Sequence, residues 1–434
     1  MVFEDRRKTG RFDLEATELA MRAALHRAGA AALSQLLEFP APTEEGRRRA
    51  CPCGQQAHYR EQRSKPVLTA VGLVEVLRPY YLCAHCGVGQ LPADVELDIE
   101  NTEFSPGVRR MQAIVGQGAP FDHGREQMKA LAGLEVTTKS VERTAEAIGA
   151  DIAQRKQAEI QRALQLELPV VVGTPIRVLY VQMDGTGVPV VKKETVGRPG
   201  KTEGQPAHTR EVKLGCVFTQ TRWDKEGYAI RDPDSTTYTG AIESAEEFGR
   251  RIYAEAWGRG WSRAFQKVVI GDGAEWIWNL VALHFPGAMQ IVDLYHARQH
   301  LWELARRLFP NEAGKQKAWM KIHQKRLLDR GKIEKLVAAL RSIESDNPEV
   351  AKKIRIEADY FERNVERMRY PKFRHQHLFV GSGVIEAGCK TVVASRLKRS
   401  GMFWTVRGAN AILALRCCHL NAEFEDYWEA RRAA

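Results

Sequence analysis

The stretch that decides the fold is Val178–Gly187, VLYVQMDGTG. It begins with an apolar run typical of a buried β-strand, and it reaches a carboxylate, Asp184, where that run stops. The stretch Lys267–Gly273, KVVIGDG, repeats this arrangement with Asp272. Each Asp-Gly pair alone predicts no more than a turn after a strand. Two such strands can bring their carboxylates together if they are neighbours in one sheet.

A third carboxylate lies in Gly381–Ala387, GSGVIEA, where Glu386 stands near the start of a helical pattern. Acids at the ends of two buried strands and on one helix can converge on a single point. Such a cluster can hold two divalent cations, which activate water and stabilise attacking and leaving oxygens in phosphodiester chemistry. The three stretches together therefore predict an α/β core with a carboxylate site for metal ions.

The chain is basic and long enough for about three domains. Its 434 residues include 65 Lys and Arg against 54 Asp and Glu, a net charge of +11. This excess is compatible with a nucleic-acid partner. Two stretches are especially basic, Lys315–Lys335 and Lys390–Arg407. For the first of them, a solvated helix face is the competing interpretation.

Neither a membrane-spanning helix nor a secretion signal is expected. The sequence has no apolar stretch of ~18 residues, and its first residues, MVFEDRRK, contain no apolar signal core. We therefore expect a cytoplasmic protein without a membrane partner. In that compartment, eight cysteines favour metal binding over a disulfide framework.

Two close cysteine pairs, each followed by glycine, flank a predicted hairpin that turns at Val71–Gly72. They lie in Cys51–Gly54, CPCG, and Cys83–Gly87, CAHCG. This is the layout of a zinc ribbon, in which two turns supply four thiolates to one tetrahedral Zn²⁺. The predicted ligands of this structural zinc are Cys51, Cys53, Cys83 and Cys86.

Two alternatives to this zinc site stay open. The first pair is CxC where CxxC is commoner, so His58 or His85 could replace one thiolate. The four thiols could also be unrelated buried side chains. The remaining cysteines lie in apolar sequence and are interpreted as core residues: Cys216, Cys389, Cys417 and Cys418.

The region Gly124–Thr144 has the pattern of two helices joined by a turn at Gly133. Thr137 or Thr138 can cap the second helix. The exposed side chains of that helix, which could contact DNA as in a helix-turn-helix domain, are Lys139, Ser140 and Arg143. An ordinary pair of packed helices fits the same pattern, so the DNA assignment depends on the rest of the chain.

The aspartates admit a second interpretation. Met183–Thr186, MDGT, matches part of the DxDGT motif of haloacid-dehalogenase phosphatases, and the later GDG resembles their metal-binding acid. Those enzymes need a nucleophilic aspartate two residues before the second one. Gln182 occupies that position and cannot form a phosphoaspartate, so the phosphatase interpretation loses its central residue.

The chain resembles the DDE transposases of bacterial insertion sequences, in particular the ISKra-type group, which is related in layout to Mutator-like transposases. The motifs that carry the resemblance are MDGTG, GDGAEWIW, VDLYHARQH and GSGVIEAGCK, in this order. It implies a multidomain α+β fold, with a zinc ribbon and a helix-turn-helix-like DNA-binding region before a ribonuclease-H-like core that carries an all-helical insertion. It also implies a catalytic triad of Asp184, Asp272 and Glu386 that binds Mg²⁺ or Mn²⁺.

Accessory residues follow from the same resemblance. Asp293 and His296 match the [C/D]xxH element of Mutator-like enzymes, although a structural histidine at a helix start is an alternative role for His296. Many DDE enzymes carry Lys or Arg seven residues after the glutamate (393 − 386 = 7), where this chain has Val393. Lys390, one turn after Glu386, and Arg396 are the expected substitutes.

The implied reaction is hydrolysis at the ends of an insertion sequence, after which the freed 3′-hydroxyl attacks target DNA. The implied partners are double-stranded DNA, as element ends and target, and further copies of the chain, since two ends must be brought together. The competing hypothesis is a catalytically inactive or domesticated DNA-binding protein derived from such a transposase. That protein would have lost an acid, and all three are present.

The stretch Ser395–Trp404, SRLKRSGMFW, mixes basic and aromatic residues just past Glu386. Surface and core packing is one interpretation. The other is that four side chains grip phosphates or stack on a base: Arg396, Lys398, Arg399 and Trp404. The polar loop Lys192–Arg210 is predicted to be the tip of a hairpin that becomes ordered on DNA.

Six segments are predicted along the chain. They are an N-terminal helix (1–45), a zinc-ribbon-like domain (46–98), a helical DNA-binding region (99–168), the first part of the core (169–309), a helical insertion (310–375) and the completion of the core with the Glu386 helix and a C-terminal helix (376–434). The strands predicted for the core are Ile176–Met183, Gly187–Val191, Glu211–Gln220, Lys267–Gly271 and Met289–Val292.

Overall fold

The computed structural model describes residues 7–8, 11–165, 172–200 and 207–432. The fold is a mixed α+β architecture, and the chain divides into two compact units, Met1–Ile148 and Gly149–Ala434. The boundary between the units falls within one long helix, Thr138–Leu164.

The first unit combines antiparallel strands with helices. The short strands β1 (Arg7–Lys8) and β2 (Arg11–Phe12) pair with each other. A four-stranded antiparallel sheet, in the order β3-β4-β5-β6, consists of β3 (Arg48–Ala50), β4 (Gln56–Thr69), β5 (Gly72–Cys83) and β6 (Gly89–Gln90). The helices are α1 (Leu14–Leu36), α2 (Pro92–Glu96), α3 (Pro106–Gly118), α4 (Phe121–Gln127) and α5 (Thr138–Leu164), which continues into the second unit.

The hairpin between the cysteine pairs turns one residue earlier than predicted. The last pair of the β4–β5 ladder is Thr69↔Gly72, so the turn is Ala70–Val71 and not Val71–Gly72. Gly72 has a φ of +112°, a conformation that favours glycine directly after the turn. The strands are also longer than their apolar runs, because the ladder includes the backbone of residues 62–65, whose side chains are polar.

The predicted pair of helices around Gly133 is present. A π-helical turn, Met128–Ala132, follows α4 and ends at Gly133, whose φ is +70°. Thr137 caps α5 through its hydroxyl, which accepts the backbone NH of Ser140 at 3.0 Å. Because α5 runs for 27 residues, its second half extends well beyond a two-helix motif.

The second unit is built on a five-stranded mixed sheet in the order β11-β8-β7-β12-β13. Its antiparallel half consists of β7 (Ile176–Pro189), β8 (Thr209–Gln220) and β11 (Thr237–Ala241), and its parallel half adds β12 (Ala264–Gly271) and β13 (Met289–Val292) to β7. A small separate hairpin is formed by β9 (Arg222–Trp223) and β10 (Ala229–Ile230). The central strand is β7, and its residues 178–183 are buried.

Helices surround this sheet. They are α6 (Ala245–Gly258), α7 (Glu275–His284), α8 (Leu294–Leu308), α9 (Ala313–Ile322), α10 (Ile333–Arg341), α11 (Pro348–Arg363), α12 (Tyr370–His375), α13 (Gly383–Gly388), α14 (Ser395–Leu397), α15 (Val406–Leu420) and α16 (Phe424–Arg432). Every residue from 310 to 375 is described, and that segment contains helices and no strand. Within the described ranges, no helix combines the length and the apolar character that crossing a membrane requires.

Two strand predictions for the core are wrong. The predicted strands Ile176–Met183 and Gly187–Val191 merge into one strand, β7, which ends at Pro189, because backbone pairing with β8 continues through Asp184. The third antiparallel strand is β11, which the sequence analysis missed because its five residues, TYTGA, have no apolar run.

The close packing of α5 on α15 gives a stability prediction. A Cβ at Gly149 would lie 2.1 Å from the Ala411 carbonyl oxygen, which is backbone and cannot move aside cheaply. We expect Gly149→Ala to destabilise the protein by about 1–3 kcal/mol, as overpacked cores do. Gly258→Ala is the matched control, because it adds a methyl to a helix residue with nothing within 4 Å. Equal unfolding temperatures for the two variants would contradict this packing.

Candidate functional site

Two of the predicted acids lie side by side at one edge of the sheet. The parallel pairing of β7 with β12 ends at Gln182↔Ile270. Asp184 and Asp272 therefore each stand two residues beyond the last pair (184 − 182 = 272 − 270 = 2). Burial raises the pKa of Asp184, and the nearby charge of Asp272 raises it further. The two carboxylates thus share one partly buried, electrostatically coupled position.

The hydrogen bonds of each aspartate restrict its orientation. Asp184 Oδ1 accepts the backbone NH of Gly185 at 2.7 Å, and its Oδ2 accepts the Cys389 thiol at 3.3 Å. Asp272 Oδ1 accepts the backbone NH of Ala274 at 2.9 Å, at the start of α7. The carbonyl oxygen of Asp272 accepts the Tyr360 hydroxyl at 2.9 Å.

Glu386 lies in the first turn of α13, and its side chain is exposed. The start of this helix is attached to β7 by the fully buried amide of Gln182. Gln182 Oε1 accepts the Ile385 backbone NH at 3.0 Å, and Nε2 donates to the Gly381 carbonyl at 3.2 Å. Gln182 thus fixes the helix of Glu386 to the strand that carries Asp184.

Asp293 is a buried structural acid. Its backbone NH donates to the Gly271 carbonyl at 2.8 Å, and one carboxylate oxygen caps α8 by accepting the NH groups of Tyr295 and His296. The other oxygen accepts both the backbone NH and the hydroxyl of Ser382. Asp293 therefore ties the ends of β12 and β13 to the segment that begins α13.

A π-helical turn, Cys389–Ala394, directly follows α13. Such turns are rare in proteins as a whole, and those that occur are often at functional sites. Arg416 of α15 holds this one by donating to the Val392 carbonyl at 2.7 Å and to Ser395 Oγ at 3.0 Å. The turn presents the Cys389 thiol to Asp184 and leaves the predicted accessory residue Lys390 exposed.

Two of the four side chains predicted to contact DNA past Glu386 are buried. Arg396 is fully buried, and its guanidinium lies 5.0 Å from the ring centre of Trp404, which is 6% exposed. Both side chains are core residues, because the cation is stacked on the indole inside the protein. Lys398 donates to the Thr186 hydroxyl, two residues after Asp184, and Arg399 is exposed.

The residues predicted to contact DNA from α5 differ in accessibility. Lys139 and Arg143 are exposed, and Lys139 forms an ion pair with Glu142 at 2.9 Å. The Ser140 hydroxyl instead donates to the Thr137 carbonyl at 2.8 Å, within the helix cap. In the predicted loop Lys192–Arg210, residues 201–206 lie outside the described residues.

The four predicted zinc ligands converge in the first unit. The Sγ atoms of Cys51, Cys53, Cys83 and Cys86 all lie within 4.8 Å of one another, and no disulfide joins them. Backbone NH groups of Cys86 and His85 lower the pKa of Cys83 to about 6. Since zinc binds the thiolate, this cluster could bind a structural zinc ion.

Neither His58 nor His85, which the structure describes, belongs to this cluster. Across the described parts of the chain, the four thiols are the one set of three or more Cys, His, Asp or Glu side chains whose ligand atoms converge so closely. Asp184, Asp272 and Glu386 therefore do not form an equally tight cluster. Two of these acids are adjacent, and the third stands on the neighbouring helix.

The sequence analysis missed the residues that hold this site together. Each of them bonds to a partner that is distant in sequence, so the sequence held no signal for these contacts: Gln182, Tyr360, Ser382, Cys389 and Arg416.

Comparisons with known proteins add little. No protein-family model matches the chain, and no curated protein matches it. Among solved structures, the chain is similar to one described as the Drosophila P element transposase strand transfer complex, at 9% sequence identity and a TM-score of 0.25. That similarity covers 79% of this chain and 84% of the other. A TM-score this low carries no argument about fold or function.

The buried amide of Gln182 can be tested directly. Gln182→Leu keeps most of the side-chain volume but leaves the Ile385 backbone NH buried without its acceptor, which costs about 1–3 kcal/mol. We expect a lower unfolding temperature and faster hydrogen exchange at Ile385. Gln266→Leu on β12, whose side chain bonds only to the amide of Gln376 in an exposed contact, is the control. Unchanged exchange at Ile385 would show that this amide does not hold α13.

Zinc content tests the thiol cluster. We expect about one zinc per purified chain, and none in the double variant Cys83→Ser with Cys86→Ser, because two of the four ligands are removed. Cys418→Ser, a buried cysteine outside the cluster, should keep its zinc. Elemental analysis gives the answer, and equal zinc in both variants would rule out these thiols as ligands.

Proposed function

We propose that this chain is a DDE-type DNA transposase that cuts the ends of an insertion sequence and joins the 3′-hydroxyl ends to target DNA. One observation carries the proposal. Asp184 and Asp272 stand at equal distances past the last β7–β12 pair, and Gln182 of the same strand attaches the helix of Glu386. Three acids that are 88 and 114 residues apart in sequence (272 − 184 and 386 − 272) are thus carried by two neighbouring strands and by a helix attached to one of them, which supports the proposal.

The proposed core is ribonuclease-H-like. In chain order, the sheet runs third, second, first, fourth and fifth strand, with the second antiparallel and the fourth parallel to the first. This topology is the one expected for such a core, and its acids belong on the first and fourth strands. Residues 310–375 are then its helical insertion, between the strand that precedes Asp293 and the helix that bears Glu386.

The proposed metal ligands are Asp184, Asp272 and Glu386, and the cation is Mg²⁺ or Mn²⁺. The donor set fits, since carboxylate oxygens are the hard ligands that these ions prefer. The electrostatics fit as well, because burial and the Asp272 charge raise the pKa of Asp184, and a cation would remove that cost. When bound, two such cations activate water and stabilise the attacking and leaving oxygens of a phosphodiester.

The chain's own residues orient the acids. The Cys389 thiol and the Gly185 NH hold Asp184, while Tyr360 and the Ala274 NH hold Asp272. Close to this edge, Lys398 bonds to Thr186 and could neutralise a DNA phosphate. Burial of the two aspartates from bulk water strengthens each of these interactions.

The proposed partner is double-stranded DNA, with Lys139 and Arg143 of α5 and the exposed Arg399 as contacts. The net charge of +11 and the cluster of four thiols support this. We propose that copies of the chain assemble on DNA, because joining two ends requires a site at each. A catalytically inactive DNA-binding relative would bind the same DNA without cleaving it.

The triad predicts a sharp loss of activity. On DNA that carries the element's ends, the wild-type protein should cleave in the presence of Mg²⁺ or Mn²⁺. The cleavage rate should fall at least about 100-fold in each of the variants Asp184→Asn, Asp272→Asn and Glu386→Gln, because each removes a proposed metal ligand. These variants keep side-chain volume and remove only charge. Glu226→Gln, an exposed residue in the turn after β9, is the control. Cleavage that survives in all three triad variants would eliminate the proposal, and binding without cleavage by the wild type would favour the inactive relative.

A further inference from the structure

Helix α11 of the insertion sends two side chains, one turn apart, toward the acid-bearing edge of the sheet. Glu357 is fully buried, and Tyr360 is 8% exposed. A buried carboxylate persists only where hydrogen bonds and opposite charges compensate its lost hydration. The partners of these two side chains identify what α11 does at this edge.

Tyr360 fixes the backbone that carries Asp272. Its hydroxyl donates to the Asp272 carbonyl oxygen at 2.9 Å. Its ring also lies against the next residue, Gly273, where a Cβ would come within 2.6 Å of the ring. The φ of Gly273 is +99°, so this tight turn favours glycine for its conformation as well.

Glu357 fixes the orientation of a histidine. Its Oε2 accepts His300 Nδ1 at 2.7 Å, and its Oε1 forms an ion pair with Lys353 Nζ at 2.5 Å. The His300 ring also stacks on the Tyr360 ring, with centres 4.1 Å apart and planes 13° apart. His300 is therefore held from its edge by a carboxylate and from its face by an aromatic ring.

His300 passes this constraint to His296. The two Nε2 atoms are 3.2 Å apart, one helical turn apart on α8. With His300 Nδ1–H donating to Glu357, a neutral His300 has its lone pair on Nε2, and this nitrogen accepts a hydrogen bond from His296 Nε2–H. His296 in turn interacts electrostatically with Asp184. A chain of hydrogen bonds thus runs from Glu357 through His300 to His296, and from His296 the link to Asp184 is electrostatic.

We propose that Glu357 and Tyr360 are positioning residues, through which the helical insertion sets the geometry of both aspartates. The Tyr360 hydroxyl holds the backbone carbonyl of Asp272. Glu357 orients His300 and, through it, His296, which interacts electrostatically with Asp184. Residues beyond the ligands commonly orient a metal site in this way, and their loss costs metal affinity or activity. The proposal rests on the proposed function, because it assigns a role at the same acid site.

The test compares matched variants of the full chain for Mn²⁺ affinity without DNA and for cleavage of end DNA. Tyr360→Phe removes only the hydroxyl, and we expect roughly a tenfold loss in both measurements. Tyr370→Phe is the control, since it removes another buried hydroxyl of the insertion that has no hydrogen-bond partner in the described structure. It should leave both measurements unchanged.

A second pair of variants separates positioning from packing. Glu357→Ala should reduce Mn²⁺ affinity and DNA cleavage at least as much as Tyr360→Phe does. Glu357→Gln keeps an acceptor for His300 Nδ1, so most of the Mn²⁺ affinity and cleavage should be retained. Thermal unfolding shows whether a variant has lost function through lost fold. If Glu357→Ala does not fold, Tyr360→Phe alone decides.

The two proposals fail in different ways. If Tyr360→Phe and Glu357→Ala stay within twofold of wild type while Asp184→Asn loses Mn²⁺ binding and cleavage, the positioning role is overturned and the transposase stands. If the wild type does not cleave and Asp184→Asn binds Mn²⁺ as well as the wild type does, the proposed function is overturned, and the positioning role falls with its acid site.

Discussion

The side-chain amide of Gln182 joins the central strand to a segment 199 to 203 residues later in the chain. A buried amide must find partners for both its ends, because each unpaired group costs about 1–3 kcal/mol. Here both partners are backbone groups of the segment that begins α13. The helix that carries Glu386 can therefore dock in one register only, and the distance between the third acid and the other two follows from that register.

Asp293, a second buried polar side chain, also joins elements that are distant in sequence. Asp293 bonds to backbone groups of three elements, because its own NH donates to β12 while its carboxylate accepts NH groups from α8 and from the start of α13. The charges of Asp184 and Asp272 oppose this arrangement. Burial raises the pKa of Asp184, and repulsion by the Asp272 charge raises it further. The fold holds two acids close together against their mutual repulsion. We interpret this retained electrostatic cost as the property of a site prepared for cations.

Some of this structure could be predicted from the sequence, and some could not. Met289–Val292 has the predicted bounds, because an apolar run marks the strand. The cysteine cluster was also predictable, since its spacing is local. Strand β11 was not, because its burial comes from the helices packed on it. Arg396 illustrates the same limit: a basic and aromatic stretch looks alike whether its cation meets DNA or stacks on Trp404 in the core.

The central claim is that Asp184, Asp272 and Glu386 form one cation site. Anomalous diffraction from crystals soaked in Mn²⁺ tests that claim without any assumption about DNA. The expected result is manganese bound at the acid-bearing edge by these three side chains, and loss of its anomalous signal in Asp184→Asn crystals. Manganese that is absent from this edge at concentrations that support activity, or that is unchanged in the Asp184→Asn crystals, would contradict it.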